Sequence, residues 1–525
     1  MNAVTTQAGR RAWIGLGVIA LACLVYAMDL TVLNLAVPQL SADLRPSSAQ
    51  LLWIVDIYGF MVAGLLITMG TLGDRIGRRR LLLIGAGAFG VASVLAAFST
   101  SAGMLIAARA LLGVAGATLA PSTLSLIRNM FLDPRQRTLA ISVWITSFSV
   151  GGAIGPLLGG VLLEWFWWGS VFLLAVPVMA LLLVVGPLLL PEYRDPHPGR
   201  LDLGSAALSL AAVLAVIYGL KQLAQDGPGW SPVLAILGGL AVGAVFVRRQ
   251  HRLTDPLIDV RLFANRAFSA ALATNVLSFF VIFGAFLYIA QYLQLVLGLS
   301  PLQAGLWMLP QGVAFIVGSM LTPLLVRRLR PGLVIAGGFM LAAVGLGLLT
   351  QLGSAAGLPV LVAGSVVISL ALAPVVTLAT DLAVGVAPPE RAGAVSAISE
   401  TSAEFGGALG IAVLGVIGTA AYRSQVAEAV PAQVPPQAVA AARDTLGGAV
   451  AAAGQLPGQL GQALLDAARQ AFTQGLHLAF ASSAAVAIGT AILAAALLRH
   501  VRPNSEPEEQ PDSSPAGPRA GKAAP

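Results

Sequence analysis

Five ionisable residues stand where the sequence is otherwise oily: Asp29, Asp56, Arg109, Glu400 and Glu404. Each interrupts a long apolar run, and a charge held in hydrocarbon is costly enough to mark a functional site. Four acids against one base leave a surplus of negative charge. Glu400 and Glu404 are four residues apart, so a helix stacks them on one face, with Ser396 and Gly407 continuing it. Two like charges in a low-dielectric medium cannot both ionise cheaply, so the pair is expected to share a proton. A carboxyl that carries a proton in one state can accept an organic cation in another, and exchange of the two is the chemistry these residues offer. Two structural roles compete with it. The glutamates could stay protonated and bond neighbouring helices, and an Arg109–acid pair could be a static brace.

The elements that must position these residues are read from hydropathy. The chain has 525 residues, 57% hydrophobic and 10% charged, with a mean hydropathy of +0.86. An ordinary soluble chain is about 25% charged, so this one lacks the polar surface of a globule. A helix crosses the ~30 Å hydrocarbon core with roughly 20 apolar residues. That ruler gives candidates at 13–37, 50–72, 81–99, 104–127, 139–163, 169–190, 202–220 and 231–247, then at 268–295, 302–326, 332–351, 356–379, 392–420 and 476–498. The expected fold is therefore an all-α integral membrane protein with 14 transmembrane helices. The first run is too long for a cleaved signal peptide.

Basic residues collect on the cytoplasmic side of membrane proteins. With the N-terminus in the cytoplasm, twenty-four of the 30 Lys and Arg fall in cytoplasmic segments. Five, Arg45, Lys221, Arg423, Arg443 and Arg469, fall outside, and Arg109 lies within a span. Both termini are thus expected to be cytoplasmic. The basic excess then serves topology and anionic headgroups of the lipid bilayer, and no nucleic acid is expected as a partner.

The organisation expected is 6+2+6: a cytoplasmic N-terminus (1–12), a six-helix bundle (13–190), an inserted helix pair (202–247) and a second six-helix bundle (268–499). Residues 500–525, rich in Pro, Ser, Glu and Gly, read as a disordered cytoplasmic tail. Within the second bundle, 421–475 is an Ala-rich outer loop. Its Pro435, Pro436 and Pro457 separate two amphipathic patterns, read as a helical hairpin. A gapless overlay of Trp53 on Trp307 puts Asp74 on Arg328 and Gly77 on Pro331, a weak internal repeat.

At 1.5 Å per residue, Asp29 lies roughly 12 Å and Asp56 roughly 9 Å below the outer end of their helices. Arg109 is at a similar depth, and Asp29 is its expected partner. Asp381, near the inner end of its span, reads as a cap or gate residue. Aromatics recur at helical spacing in 268–295, as Phe279, Phe280, Phe283, Phe286, Tyr288 and Tyr292. With Trp53, Tyr58, Trp144, Trp307 and Phe315 they offer faces for flat lipophilic cations, although lipid-facing aromatics follow the same pattern. Trp165, Trp167 and Trp168 read as an interfacial belt. Gly406 and Gly410 form a small-xxx-small seam for close helix packing.

Other classes are excluded by what the sequence lacks. One cysteine, Cys23, rules out a disulfide scaffold. A G-x-x-x-x-G-K-[ST] loop is absent, which disfavours an ATP-driven pump. One Cys and four scattered His give no zinc site. No enzymatic activity, cofactor or metal is expected, and the chain is read as a monomer.

Three motifs carry a resemblance. Gly70-Thr71-Leu72-Gly73-Asp74-Arg75-Ile76-Gly77-Arg78-Arg79-Arg80 resembles the loop between the second and third helices of the major facilitator superfamily, where it latches the cytoplasmic side. Asp74 could pair there with arginines or with a helix N-terminus of the opposite bundle. Leu105 to Ala117, with Arg109, Gly113 and Gly116, resembles the fourth-helix motif tied to proton coupling. Gly151, Gly155, Pro156, Gly159 and Gly160 match the G-x-x-x-G-P-x-x-G-G motif of exporters. The stretches Met28 to Asn34, Leu52 to Tyr58 and Ala392 to Glu404 are similar to the fourteen-span drug:proton antiporters of the quaternary-ammonium efflux type.

The resemblance implies a bacterial cell-membrane efflux antiporter for lipophilic cations, driven by protons and working by alternating access. It implies proton coupling through Asp29, Asp56, Arg109, Glu400 and Glu404. It also implies cation binding by Asp29, Asp56, Glu400 and Glu404. An exporter of an endogenous peptide, amino acid or lipid-like metabolite is the alternative on the same scaffold. Two positions depart from the pattern. Pro310-Gln311-Gly312 stands where some members carry an acid, and Ser399 precedes Glu400 where some have paired acids, which leaves less negative charge for a dication.

Overall fold

Long apolar runs with few breakers leave the backbone one way to satisfy itself in lipid, and helices supply it. A computed structural model describes residues 8–46, 48–194, 202–226, 229–253, 256–353, 357–386, 392–431 and 433–497, with helices and no strand among them. The first set comprises α1 (Arg10–Leu44), α2 (Ser48–Ile76), α3 (Arg78–Ala97), α4 (Ala102–Met130) and α5 (Pro134–Trp165). It closes with α6 (Ser170–Leu173) and α7 (Ala175–Leu189), which together make one crossing. A pair, α8 (Leu203–Asp226) and α9 (Trp230–Gln250), follows. Then come α10 (Arg266–Gln291), α11 (Pro301–Arg328), α12 (Pro331–Leu349), α13 (Gly357–Val386) and α14 (Ala392–Ala429). Short helices α15 (Pro436–Asp444) and α16 (Leu446–Ala453) lead into α17 (Gly458–Leu497). Among the described residues, 14 segments are long and apolar enough to cross a membrane. The N-terminal residues 1–7 and the tail from 498 onward lie outside the described residues.

Helix boundaries follow local chemistry. Ser101 accepts the Met104 N–H and starts α4, while Asp133 accepts the Arg135 and Gln136 N–H groups ahead of Pro134 to start α5. Ser300 and Gln303 form a reciprocal capping box on α11. One apolar core gathers residues from Leu16 to Leu190 together with Val376 and Val384 of α13, and a second gathers residues from Ala270 to Ala494.

Small residues decide how closely the helices meet. A Cβ on Gly151, Gly155 or Gly159 would strike α1 at Leu24, at Met28 and Thr31, or at Val32. Three of the exporter motif's glycines therefore seat α5 on α1. Gly160 faces open space instead. The helix runs unbroken through Pro156. Gly406 and Gly410 likewise bring α14 against the backbone of α10 at Val276 and Phe280.

The inserted pair is fastened to itself and to both sets. Arg249 of α9 donates to Asp202 at 2.8 and 3.1 Å. Its hydrogen bonds hold the Asp202 carboxyl well below the usual carboxylate range, so the clasp stays ionised at neutral pH. Helix α8 packs on both α2 and α14.

Two expectations need correction here. The 421–475 segment holds two short helices packed on each other, α15 and α16, but it does not begin and end as a loop. α14 runs on to Ala429 and α17 starts at Gly458, so the two spanning helices extend into this segment, with α15 and α16 between them. Ala-rich sequence offers no breaker before Pro431, which is why the helix continues. The Tyr422 hydroxyl donates to the Ala442 carbonyl at 2.6 Å and ties α15 to this extension. Trp165 and Trp167 are exposed as a belt requires, but Trp168 is buried and donates to Asp43 at 2.8 Å.

Candidate transport site

Asp29 on α1 and Arg109 on α4 form an ion pair of 2.6 Å, with side chains only 5% and 2% exposed. Arg109 Nε also donates to the Ile54 carbonyl at 3.2 Å, and its guanidinium lies 4.7 Å from the centre of the Tyr58 ring. Gly113, one turn along α4, permits this contact, since a Cβ there would strike the Tyr58 carbonyl. The Arg109–Asp29 pairing expected from depth alone is therefore present.

Glu400 and Glu404 lie on α14, which packs against α2, α4, α8, α10 and α17. Glu400 is half-buried, whereas Glu404 is exposed although its helix has neighbours on many sides. Glu404 thus keeps accessible surface on a helix that contacts others on several sides. The Tyr26 hydroxyl of α1 lies in electrostatic range of Glu404, Glu400 and Asp29 together. Tyr58 of α2 likewise lies in range of Asp29, Arg109 and Glu404. The acids of both sets thus converge on one layer.

Asp56 has a partner that the sequence reading placed elsewhere. Lys221 Nζ on α8 sits 2.6 Å from Asp56 Oδ1 and 4.7 Å from the centre of the Phe60 ring. Lys221 also lies in electrostatic range of Glu404. The apolar run ends at Leu220, which by sequence puts Lys221 in an outer segment, but α8 continues to Asp226. Its rarity was the available signal: Lys221 and Lys522 are the only lysines in the chain.

The aromatic set divides. Trp53, Phe283 and Trp307 are exposed. Phe283 stacks on Phe279 at 6.0 Å and lies against Gly407, one turn from Glu404. Phe315 is half-buried and packs on the first core from α11. Three others cannot line a vestibule in this conformation. Tyr58 is fully buried beneath Arg109. Trp144 is buried and donates to Thr123 Oγ1 at 3.0 Å. Tyr288 is buried and donates to the Leu414 carbonyl at 2.7 Å. Helical spacing alone does not say whether an aromatic faces a core, a cavity or lipid.

On the arginine-rich face the two sets are fastened together. Asp74 of α2 binds Arg78 and accepts the backbone N–H groups of Gly393 and Ala394, both at 3.0 Å, at the N-terminus of α14. Gly70 lets the helices meet, because a Cβ would strike Ala397 and the Gly393 carbonyl. Gly73 meets the Leu81 side chain, and Gly77 takes φ +108°, which a side chain would strain. Arg75 is half-buried beside them. Nearby, Arg137 Nε donates to Asp381 at 2.6 Å and Thr138 donates to the same carboxylate at 2.6 Å. Ser319 of α11 donates to the Ser142 carbonyl of α5 at 3.3 Å.

A bond from a backbone N–H to a carboxylate is worth about 1.5–3 kcal/mol. Removing Asp74 is therefore expected to free the arginine-rich side to open. In a Cys23→Ser background carrying Ser319→Cys, Asp74→Ala should raise thiol labelling from that side by about tenfold or more. An unchanged labelling rate would show that Asp74 does not hold the face shut.

Comparison with known proteins is consistent across sequence and structure. A family model described as Major Facilitator Superfamily matches residues 19–411. The chain is 45% identical over 472 residues to the multidrug efflux pump LfrA of Mycolicibacterium smegmatis, covering 90% of this chain and 93% of that protein. It is 38% identical over 480 residues to the methyl viologen resistance protein SmvA of Salmonella typhimurium, covering 90% and 95%. Among solved structures, the human organic anion transporter MFSD10 aligns with a TM-score of 0.57 at 16% identity, covering 93% of this chain and 99% of that one.

Proposed function

Because the chain belongs to the Major Facilitator Superfamily, we propose that this drug-efflux transporter is a proton-coupled antiporter exporting lipophilic cations. It is a multi-pass protein of the bacterial cell membrane, and its substrates are small organic molecules. One observation carries the finer reading: an exposed Glu404 deep among helices, in the same electrostatic layer as the buried Asp29–Arg109 pair. Carboxylates in that setting can hold either protons or an organic cation.

The arginine-rich face is assigned to the cytoplasm by the distribution of charge. The closed Asp74 and Asp381 contacts then describe a carrier shut on its cytoplasmic side. Protons arriving from outside neutralise the acids and displace the cation outward. The emptied carrier turns, releases protons to the cytoplasm and binds the next cation. One chain supplies every group in this scheme, so a single copy suffices for it. Quaternary ammonium compounds have the single positive charge that such a site requires, and methyl viologen, named in a relative, shares its sign.

Everted membrane vesicles test the coupling. An imposed pH gradient, acid inside the vesicle, is expected to drive ethidium uptake, and collapse of the gradient to stop it. Ethidium movement indifferent to the gradient would refute proton coupling. No ethidium movement at all, with transport of a peptide or metabolite instead, would favour the endogenous-solute reading.

A further inference from the structure

Helix α8 belongs to neither six-helix core, yet it carries a cation into the charged layer. It packs against α2 and α14, the two helices that bear Asp56 and Glu404. The Lys221 ammonium reaches Asp56 at 2.6 Å and lies over the face of Phe60 at 4.7 Å. A carboxylate beside an aromatic face is the chemistry that receives an organic cation. Trp53 extends the wall, with its ring 6.3 Å from that of Phe60. The pair is not locked away, since the Lys221 and Asp56 side chains remain 37% and 25% exposed. A flexible four-carbon stem lets the ammonium leave and return.

We propose that Lys221 is a tethered cation that occupies Asp56 and thereby sets the charge preference of the carrier. With Lys221 in place, one acid of the layer is already neutralised, and a substrate finds counter-charge for a single positive group near Glu404. With Lys221 removed, Asp56 and Phe60 become a second cation subsite. The inference rests on the cation-export reading above and adds a specificity-determining residue to it.

The test uses the full chain in proteoliposomes with two probes, ethidium as monocation and methyl viologen as dication. Lys221→Gln should raise the ratio of methyl viologen to ethidium export by about fivefold, the scale of one partly exposed charge pair. Lys221→Arg keeps the charge and should keep the wild-type ratio. Adding Asp56→Asn to Lys221→Gln should return the ratio of methyl viologen to ethidium binding, read at equilibrium without transport, to the wild-type value, because the freed carboxylate is gone. Lys221→Met retains the apolar stem over Phe60 and repeats the comparison should the glutamine variant fail to insert. A ratio unmoved by Lys221→Gln or Lys221→Met, in a protein that still exports ethidium, overturns the assignment of Lys221 alone. A raised binding ratio that survives Asp56→Asn overturns it too. A wild-type protein that exports neither probe under a pH gradient overturns the cation-export reading and this inference together.

Discussion

Asp29→Asn is expected to abolish pH-driven export, with at least about a hundredfold loss of rate. Removing one partner of a buried ion pair leaves the other uncompensated, at a cost of about 3–5 kcal/mol. Here the orphan would be Arg109, 2% exposed and held between the Ile54 carbonyl and the Tyr58 ring. Loss of transport alone cannot separate a switch from a brace, because an unpaired buried charge also weakens the fold. The double substitution Asp29→Leu with Arg109→Leu separates them. Replacing a buried pair by apolar residues of similar volume is often neutral for stability or better. The double variant should therefore recover the thermal stability in detergent that Asp29→Asn loses, and still fail to transport. Recovery of both would make the pair a static brace and remove it from the coupling scheme.

The sequence disclosed what depends on composition and short spacing. Fourteen apolar runs give fourteen crossing segments because the hydrocarbon thickness sets their length. The Arg109–Asp29 pairing follows from two depths counted along helices, and the Asp74 contact with the start of α14 follows from one loop motif. Side-chain direction was less legible. Tyr58, Trp144 and Tyr288 share helical spacing with Trp53 and Phe283, yet the first three are packed inside and the others are exposed. Rotation of a helix about its axis is fixed by neighbours distant in sequence, and 3.6-residue periodicity in an all-apolar helix carries little information about it. The place of Lys221 is hidden in the sequence for a related reason. A boundary misplaced by six residues moved it from a helix end over Phe60 into a loop.

The inserted pair changes how the charge layer is counted. Four acids and one base become four acids and two bases once Lys221 is drawn onto Asp56. Asp29 and Asp56 are then both held in ion pairs in this conformation, and on the proposed reading Glu400 with Glu404 remain to receive what enters. This division assigns different work to acids that the sequence could only group together.

Glu404→Gln is accordingly expected to have the second large effect, and a different one from Glu400→Gln. Both substitutions remove a carboxylate while keeping its shape, and each imitates a permanently protonated site. Glu404 is the exposed member, within electrostatic range of Tyr26, Tyr58 and Lys221, so its loss removes the counter-charge that meets an entering cation. Equilibrium binding of tetraphenylphosphonium should weaken by about tenfold or more, the scale of one lost charge interaction in a partly desolvated site, and pH-driven export should vanish. Glu400 is half-buried one turn away, beside Cys23 and Tyr26. Its neutralisation should stop export driven by a pH gradient but spare exchange of labelled for unlabelled substrate, which requires no net proton movement. If Glu404→Gln binds and exports as the wild type does, the exposed carboxylate is not the cation site. If Glu400→Gln and Glu404→Gln behave identically in exchange, the two acids act as one titrating unit, and the division of labour between them is wrong.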